Sequence, residues 1–423
     1  MIHITGCVNS LFITNTIITF LRNTMRKTIL PILMSMVVLS PLAIDIYLPS
    51  MPVMATEFDV SSSEIQSTLV LFLFAMGIGQ ILIGPLADRF GRRPIAIAGI
   101  VLYVLSSFLA VYTTDFQLLQ SARVLQGIAA CATSIVVFSA VRDSFNTADS
   151  AKYYSYLNGV ICVIPALAPT LGGILALQFG WRSTFVFMAL FAVIVLVIVA
   201  FKLPETRPQN TQNSGALYHW QRFKPVLSER YFMFYALACM AGMASILTYV
   251  SYAPDWLIRH LGISEMSFSA LFGLNATVNI AAAFAAPWVI KRFGNRPTVI
   301  IALFTLLSSA MLQIVVQQFG PSSGMPAAFA FMLPMMLLCI GFALLLGPAT
   351  TMALSAFGER AGTASAMLGC IQMSGASILA GLIQQTNLSA PYAVICLMGG
   401  LVSILLLMMA MPRFNHWHQE VFS

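Results

Sequence analysis

Charge is what this sequence has least of. Asp, Glu, Lys and Arg make up 8% of the 423 residues, against 59% hydrophobic ones, and the mean hydropathy is +0.88. So little polar surface cannot coat a water-soluble globule, so the chain reads as a membrane protein. Histidine is also scarce: His3, His219, His260, His416 and His418 are all of it. All five lie in loops or tails, which excludes a histidine proton relay within the membrane. Of the seven cysteines, Cys131, Cys162, Cys239, Cys339, Cys370 and Cys396 fall within apolar runs and Cys7 in the N-terminal extension. No outside loop therefore offers a disulfide pair. The acidic residues are scattered over the loops with no His, Asp or Glu cluster at either membrane face. A membrane-embedded enzyme, a metal and a cofactor are accordingly not expected.

What the sequence does have is long apolar runs. Twelve of them cover 29–50, 65–87, 94–112, 116–141, 153–178, 183–203, 230–252, 268–290, 297–317, 326–353, 361–383 and 390–411. A hydrocarbon core of about 30 Å needs roughly 20 apolar residues per helix. A β-barrel would instead show alternating segments of about 10 residues. The expectation is an all-α integral membrane protein.

All but three of the 21 basic residues lie at one side if the N-terminus is cytoplasmic. Arg182 and Arg259 fall on the other side and Arg123 within a run. This positive-inside bias makes both termini cytoplasmic, turns the net charge of +7 into an orientation signal, and leaves little for a nucleic-acid reading. The stretch before Met25 resembles a signal peptide only faintly, since its Arg22 follows its apolar segment, and Met25-Arg26-Lys27 is the better start.

The one long polar break, residues 203 to 230, separates six runs from six. The domains read as an N-terminal cytoplasmic segment 1–28, a six-helix half 29–203, a cytoplasmic linker 204–229, a second six-helix half 230–411 and a cytoplasmic tail 412–423. RFGRRP at 89–94 and RFGNRP at 292–297 differ only in Arg92 against Asn295 and follow the second run of each half. An internal repeat of six spans keeps orientation, so the halves are related by an axis along the membrane normal.

Three motifs carry the chemistry. In GPLADRFGRRP, Gly84 removes a side chain so that a neighbouring helix can approach, and Asp88 can face that helix's positive end. Arg92 and Arg93 can pair with Asp143; the plainer reading is a positive-inside turn. Lys291 stands where Asp88 stands, so a carboxylate latch belongs to the first half. In LLQSARVLQG, Arg123 lies inside the fourth run with Gln126 after it. At bilayer depth such an arginine faces a cavity or a partner, or snorkels to the interface. In IPALAPTLGG, Pro169, Gly172 and Gly173 bend the fifth run and admit close contact, whether for packing alone or for transport.

Together with AIDIYLPSMP in the first run and PETR after the sixth, these motifs resemble the major facilitator superfamily, and within it the drug:proton antiporters with twelve spans. The Bcr/CflA branch of bicyclomycin and chloramphenicol resistance is the nearest likeness. The resemblance runs from 29 to 411. It implies the major facilitator fold, a bacterial inner-membrane location, and export of small amphiphilic drugs or metabolites in exchange for protons. In the family's span 5 antiporter motif two glycines are replaced here by Ile164 and Ala168.

Away from the span ends, Asp45 and Arg123 are the only charged residues in the twelve runs. Asp45 lies roughly 24 Å along its helix from Ile29, and Arg123 about 10 Å from Phe116, so both sit in the outer half of the bilayer and can meet. A buried carboxylate is costly, so Asp45 reads as the proton carrier with Arg123 beside it. The alternative is a carboxylate near the end of a helix that Pro49 and Pro52 bend open to water. Tyr47, Gln126, Asn158, Asn275, Asn279 and Gln372 are the polar groups that either line a substrate cavity or bond across helices. The partners expected are a small-molecule substrate, protons and the lipid bilayer, with no obligate protein partner. A proton-coupled metabolite importer is the rival reading.

Overall fold

The computed structural model describes residues 29–145, 147–208, 220–357, 361–386 and 388–418. The expected segment 1–28, the middle of the linker and the end of the tail lie outside the described residues.

Among the described residues, twelve helices are long and apolar enough to cross a membrane: α1 Ile29–Glu57, α2 Ser62–Phe90, α3 Arg92–Tyr112, α4 Phe116–Ser144, α5 Lys152–Phe179, α6 Arg182–Lys202, α7 Arg230–His260, α8 Glu265–Phe293, α9 Asn295–Phe319, α10 Gly324–Leu354, α11 Ala361–Gln384 and α12 Ala390–Ala410. No strand occurs among the described residues. Apolar surroundings offer the backbone no partner but itself, and a helix is the local way to satisfy every amide and carbonyl. Each helix coincides with one run read from the sequence.

Polar side chains set the ends. The Ser61 hydroxyl accepts from the Glu64 amide at 3.2 Å while the Glu64 carboxylate accepts from the Ser61 amide at 2.8 Å, so α2 starts on a capping box. At the equivalent place in the second half, Ser264 accepts from the Ser267 amide at 3.1 Å and opens α8. Gly91 and Gly294 occupy φ of +102° and +86°, the left-handed side of the map that favours glycine, and turn the chain from α2 into α3 and from α8 into α9.

Packing repeats with the sequence. In the first half α4 packs on α2 and α3, and α1 on α5; in the second half α10 packs on α8 and α9, and α7 on α11. The halves meet through two crossed pairs, α2 with α11 and α5 with α8. Call the end bearing the 84–94 and 292–297 loops the basic end. Among the described residues, the hydrogen bonds between the halves lie between the middle of the bundle and the opposite, far end. Ser62 Oγ donates to Asp255 Oδ1 at 2.5 Å, Arg259 to Ser62 Oγ at 3.0 Å, Ser63 Oγ to the Gln384 carbonyl at 2.8 Å and Ser374 Oγ to the Phe74 carbonyl at 2.9 Å. Towards the basic end no such bond joins the halves among the described residues, and Gly84 of α2 and Gly159 of α5 have nothing within 4 Å of where a Cβ would sit. The halves are clasped at the far end and not at the basic end.

Candidate functional site

Helix α1 is not continuous. It is helical over Leu39–Asp45, turns at Ile46 and Tyr47, makes a single tight turn over Leu48–Ser50 and resumes at Met51. Pro49 and Pro52 lack the amide that an unbroken ladder needs. The short turn after the break packs against α5, α7 and α8, which brings α1 to the seam between the halves.

Arg123 of α4 reaches this break and is fully buried. Its Nη2 donates to the carbonyl of Ala43 at 2.9 Å and its Nη1 to Gln126 Oε1, while its guanidinium lies 4.5 Å from the ring centre of Tyr47 and 4.6 Å from that of Phe72. Gln126 is held in turn by Ser107 Oγ at 2.9 Å, and the Tyr47 hydroxyl by Thr68 at 3.1 Å. Ring faces and a helix-end carbonyl thus take the charge. Arg123 does not snorkel, and it forms no ion pair with Asp45: the meeting expected from their depths does not occur in this conformer. Tyr47 and Gln126, expected either to line a cavity or to bond across helices, are buried against Arg123.

Asp45 closes the last turn before the break and is 4% exposed. It has no ion pair or hydrogen bond among the described residues. The Tyr249 hydroxyl of α7 lies within its electrostatic reach across the seam. That hydroxyl accepts from Asn275 Nδ2 of α8 at 2.9 Å, and the Tyr249 ring stacks on Phe272 at 5.7 Å between centres. Asn275, turned to α7, is buried with its Oδ1 unpartnered, and Asn279 lies half-buried one turn on. Asn158 is exposed on α5, and Gln372 is half-buried in a π-helical turn, Ile371–Gly375, of α11.

The α5 motif sits on the same seam. A Cβ on Gly172 would run into the carbonyl of Ile46, the residue after Asp45; one on Gly173 would meet Ser269 Oγ of α8 at 3.2 Å. The Pro169 carbonyl accepts from Ser269 Oγ at 3.1 Å. Pro169, Gly172 and Gly173 thus join the α1 break to the second half.

At the basic end, Arg92 Nη2 contacts Asp88 Oδ1 at 2.7 Å and Arg92 Nε contacts Asp143 Oδ2 at 3.0 Å. Arg92 is buried, whereas Asp88 is half-exposed and has no hydrogen bond or ion pair to the second half among the described residues. Gly84 likewise has no close neighbour, contrary to the expectation of a helix lying against it. The close approach falls two turns away, where a Cβ on Gly77 would collide with Ser374 of α11. Glu205 of PETR accepts from the amides of Arg92 at 2.8 Å, Arg93 at 3.2 Å and Arg207 at 2.9 Å, capping the start of α3. Burial alone pushes the Glu205 carboxyl up, but the amides of Arg207, Arg92, Arg93 and Thr206 outweigh it and hold it below the usual glutamate range.

Sequence reasoning does not single out Tyr249, Gly77 or Glu205. A tyrosine in an apolar span and a glycine among small residues carry no mark of their partners, and PETR is visible as a motif without showing what its carboxylate caps.

A broken helix at the seam of two six-helix halves, carrying a buried carboxylate and held by a buried arginine through its backbone, is an arrangement suited to a membrane transporter. A sequence model of the Major Facilitator Superfamily matches residues 33–380, and the chain belongs to that family. It is 30% identical over 384 residues to the multidrug resistance protein MdtL of Citrobacter koseri, covering 90% of this chain and 95% of that one. To MdtL of Vibrio parahaemolyticus it is 30% identical over 390 residues, 91% and 96% of the two chains. Among solved structures, a D-xylose-proton symporter superposes with a TM-score of 0.72 at 17% identity over 89% of this chain and 96% of that one. The xylose transporter XylE from E. coli, in a partially occluded inward-open conformation, gives 0.71 at 16% identity, over 90% and 96%. At such identities the two xylose carriers show the shared fold alone.

Proposed function

We propose that this chain exports small amphiphilic drugs or metabolites across the bacterial inner membrane in exchange for protons, as a multidrug antiporter of the twelve-span drug:proton type, with chloramphenicol and bicyclomycin as the first compounds to try. The observation that carries the reading is Asp45: one carboxylate, free of any ion pair, at a helix break between the halves. Such a group can bind a proton and a substrate amine or hydroxyl in turn, which is what exchange requires. The relatives named for multidrug resistance support the direction of transport.

With the basic end in the cytoplasm, as the positive-inside rule has it, this conformer faces inward. Substrate enters between the parted ends and reaches Asp45, Tyr249 and Asn275; the halves then rock about the α2–α11 and α5–α8 contacts. In the α2–α11 pair, Gly77 faces Ser374 and Gln80 faces Gly369. Continuing that antiparallel register brings Gly84 level with Ala366 and Asp88 level with Gly362 at the N-terminal end of α11. The latch of Gly84, Asp88, Arg92 and Asp143 then belongs to the outward-facing state, where Asp88 meets a positive helix end.

The test is proton movement in energised inverted vesicles. Adding a transported compound should dissipate the pH gradient only when the protein is present, and Asp45→Asn should abolish this while substrate still binds. Undiminished dissipation by Asp45→Asn would refute the assignment.

A further inference from the structure

The α5–α8 contact is the counterpart of α2–α11, yet the residue at the Asp88 place in the repeat is Lys291, of opposite sign. Two anchors set the register of α5 on α8: Gly173 against Ser269, and Gly273 against the carbonyl of Ala166. The helices are antiparallel and both run on towards the basic end: the helix of α5 extends beyond the span, back from Lys152 to Thr147, and α8 runs forward to Phe293. From Ala166 to Asp149 is about 26 Å and from Gly273 to Lys291 about 27 Å at 1.5 Å per residue. The two arms are equal to within about one residue, so Lys291 and Asp149 stand level with one another on the two helices.

The charges at the two seams are exchanged together. In the first seam an aspartate approaches the start of α11, whose first turn has no acidic residue; the positive helix end is itself the partner. In the second seam a lysine approaches the start of α5, and a bare helix end there would repel it. That first turn carries Asp149. Lys291 is exposed and has no ion pair among the described residues in the present conformer. Of the other charges near the start of α5, Asp143 is engaged by Arg92 and Arg142, and Lys152 on α5 and Arg292 beside Lys291 are cationic.

We propose that Lys291 and Asp149 form a second latch, a transient ion pair made when the basic end shuts and broken when it opens. The pair rests on the alternating-access reading above and extends it: the two seams close by different chemistry, one by a carboxylate on a helix dipole and one by a lysine on a carboxylate. Both residues are positioning residues, remote from Asp45.

The experiment is a charge swap read by distance. Spin labels on Phe201→Cys and Phe293→Cys, exposed positions of the two halves at the basic end, report the ratio of parted to shut conformers in protein otherwise free of cysteine. Lys291→Glu and Asp149→Lys should each lower the shut population by about threefold, the size expected of a partly solvated pair, and the double swap should restore it. Single variants that leave the ratio unchanged, or a double swap no better than the worse single, would overturn the proposal. The distance measurement needs no substrate, so its outcome is separate from that of the vesicle assay, which decides the transport reading.

Discussion

The guanidinium of Arg123 donates to the carbonyl oxygen of Ala43 at 2.9 Å, two residues before Asp45 in the chain. The arginine thereby holds the helix end that carries the acid without neutralising the acid itself. Coupling between them runs through the α1 backbone. Any movement of α1 against α4 alters this bond and, with it, the exposure of Asp45.

Replacing Arg123 by alanine should therefore loosen the α1 break and lower stability by about 2 kcal/mol through the lost hydrogen bonds and ring contacts. Arg123→Lys should recover the charge without the fork that spans Ala43 and Gln126, and export should stay well below the wild-type rate. Thermal unfolding in detergent together with dye efflux separates the two effects; wild-type efflux by Arg123→Lys would show that the two-point hold is dispensable.

The two glycines of the α5 motif should differ. A methyl on Gly172 has nowhere to go against the Ile46 carbonyl, so Gly172→Ala should cost about 1–3 kcal/mol and most of the transport. Gly173→Ala meets a serine hydroxyl that can rotate, and should be milder. Equal damage, measured by melting temperature and efflux, would count against the Gly172–Ile46 contact as the seam's tight point.

Gly77 and Gly84 separate the two conformers. Gly77→Val should disturb the present α2–α11 contact directly. Gly84→Val should leave the present conformer intact and impede only the state in which α11 lies along it. Accessibility of cysteines placed at the basic end should then show Gly84→Val trapped inward-open with a normal melting temperature. A Gly84→Val protein that transports normally would contradict the register drawn from Gly77 and Gln80.

Glu205 gives a pH dependence with a definite sign. Its carboxyl is held below the usual glutamate range, so the ionised form stabilises the fold fully above about pH 4.3, the unfolded value. That contribution is lost as pH falls through the lower, folded value. Glu205→Gln should lower the melting temperature at neutral pH and flatten its fall below pH 4.3. Parallel melting curves for the two proteins across that range would exclude the cap.

Much of this was readable in advance because a bilayer writes its thickness into the sequence: the apolar runs mark the helices, and the expense of a buried charge marks Asp45 and Arg123. The repeat of RFGRRP in RFGNRP likewise foretold the two halves. What could not be read was contact between helices remote in sequence. That Arg123 turns to Ala43 and not to Asp45, that Gly77 and not Gly84 meets α11 here, and that Tyr249 stands across from Asp45 all depend on how far the halves have rocked. A sequence has no term for that angle. The place of α1's break was half visible, since Pro49 and Pro52 announce a bend, but its start at Ile46, packed on Gly172, carried no mark in the sequence.

The closed far end, clasped by Ser62, Asp255 and Arg259, also bears on pharmacology. With that face outward, a blocking compound arriving from the medium finds no entrance in this conformer and must first cross the lipid to reach Asp45 from within. Membrane permeability then becomes a requirement on any inhibitor aimed at the central site. A hydrophilic molecule or an antibody fragment that does not penetrate would have to act on the clasp itself, from outside, by keeping it from letting go.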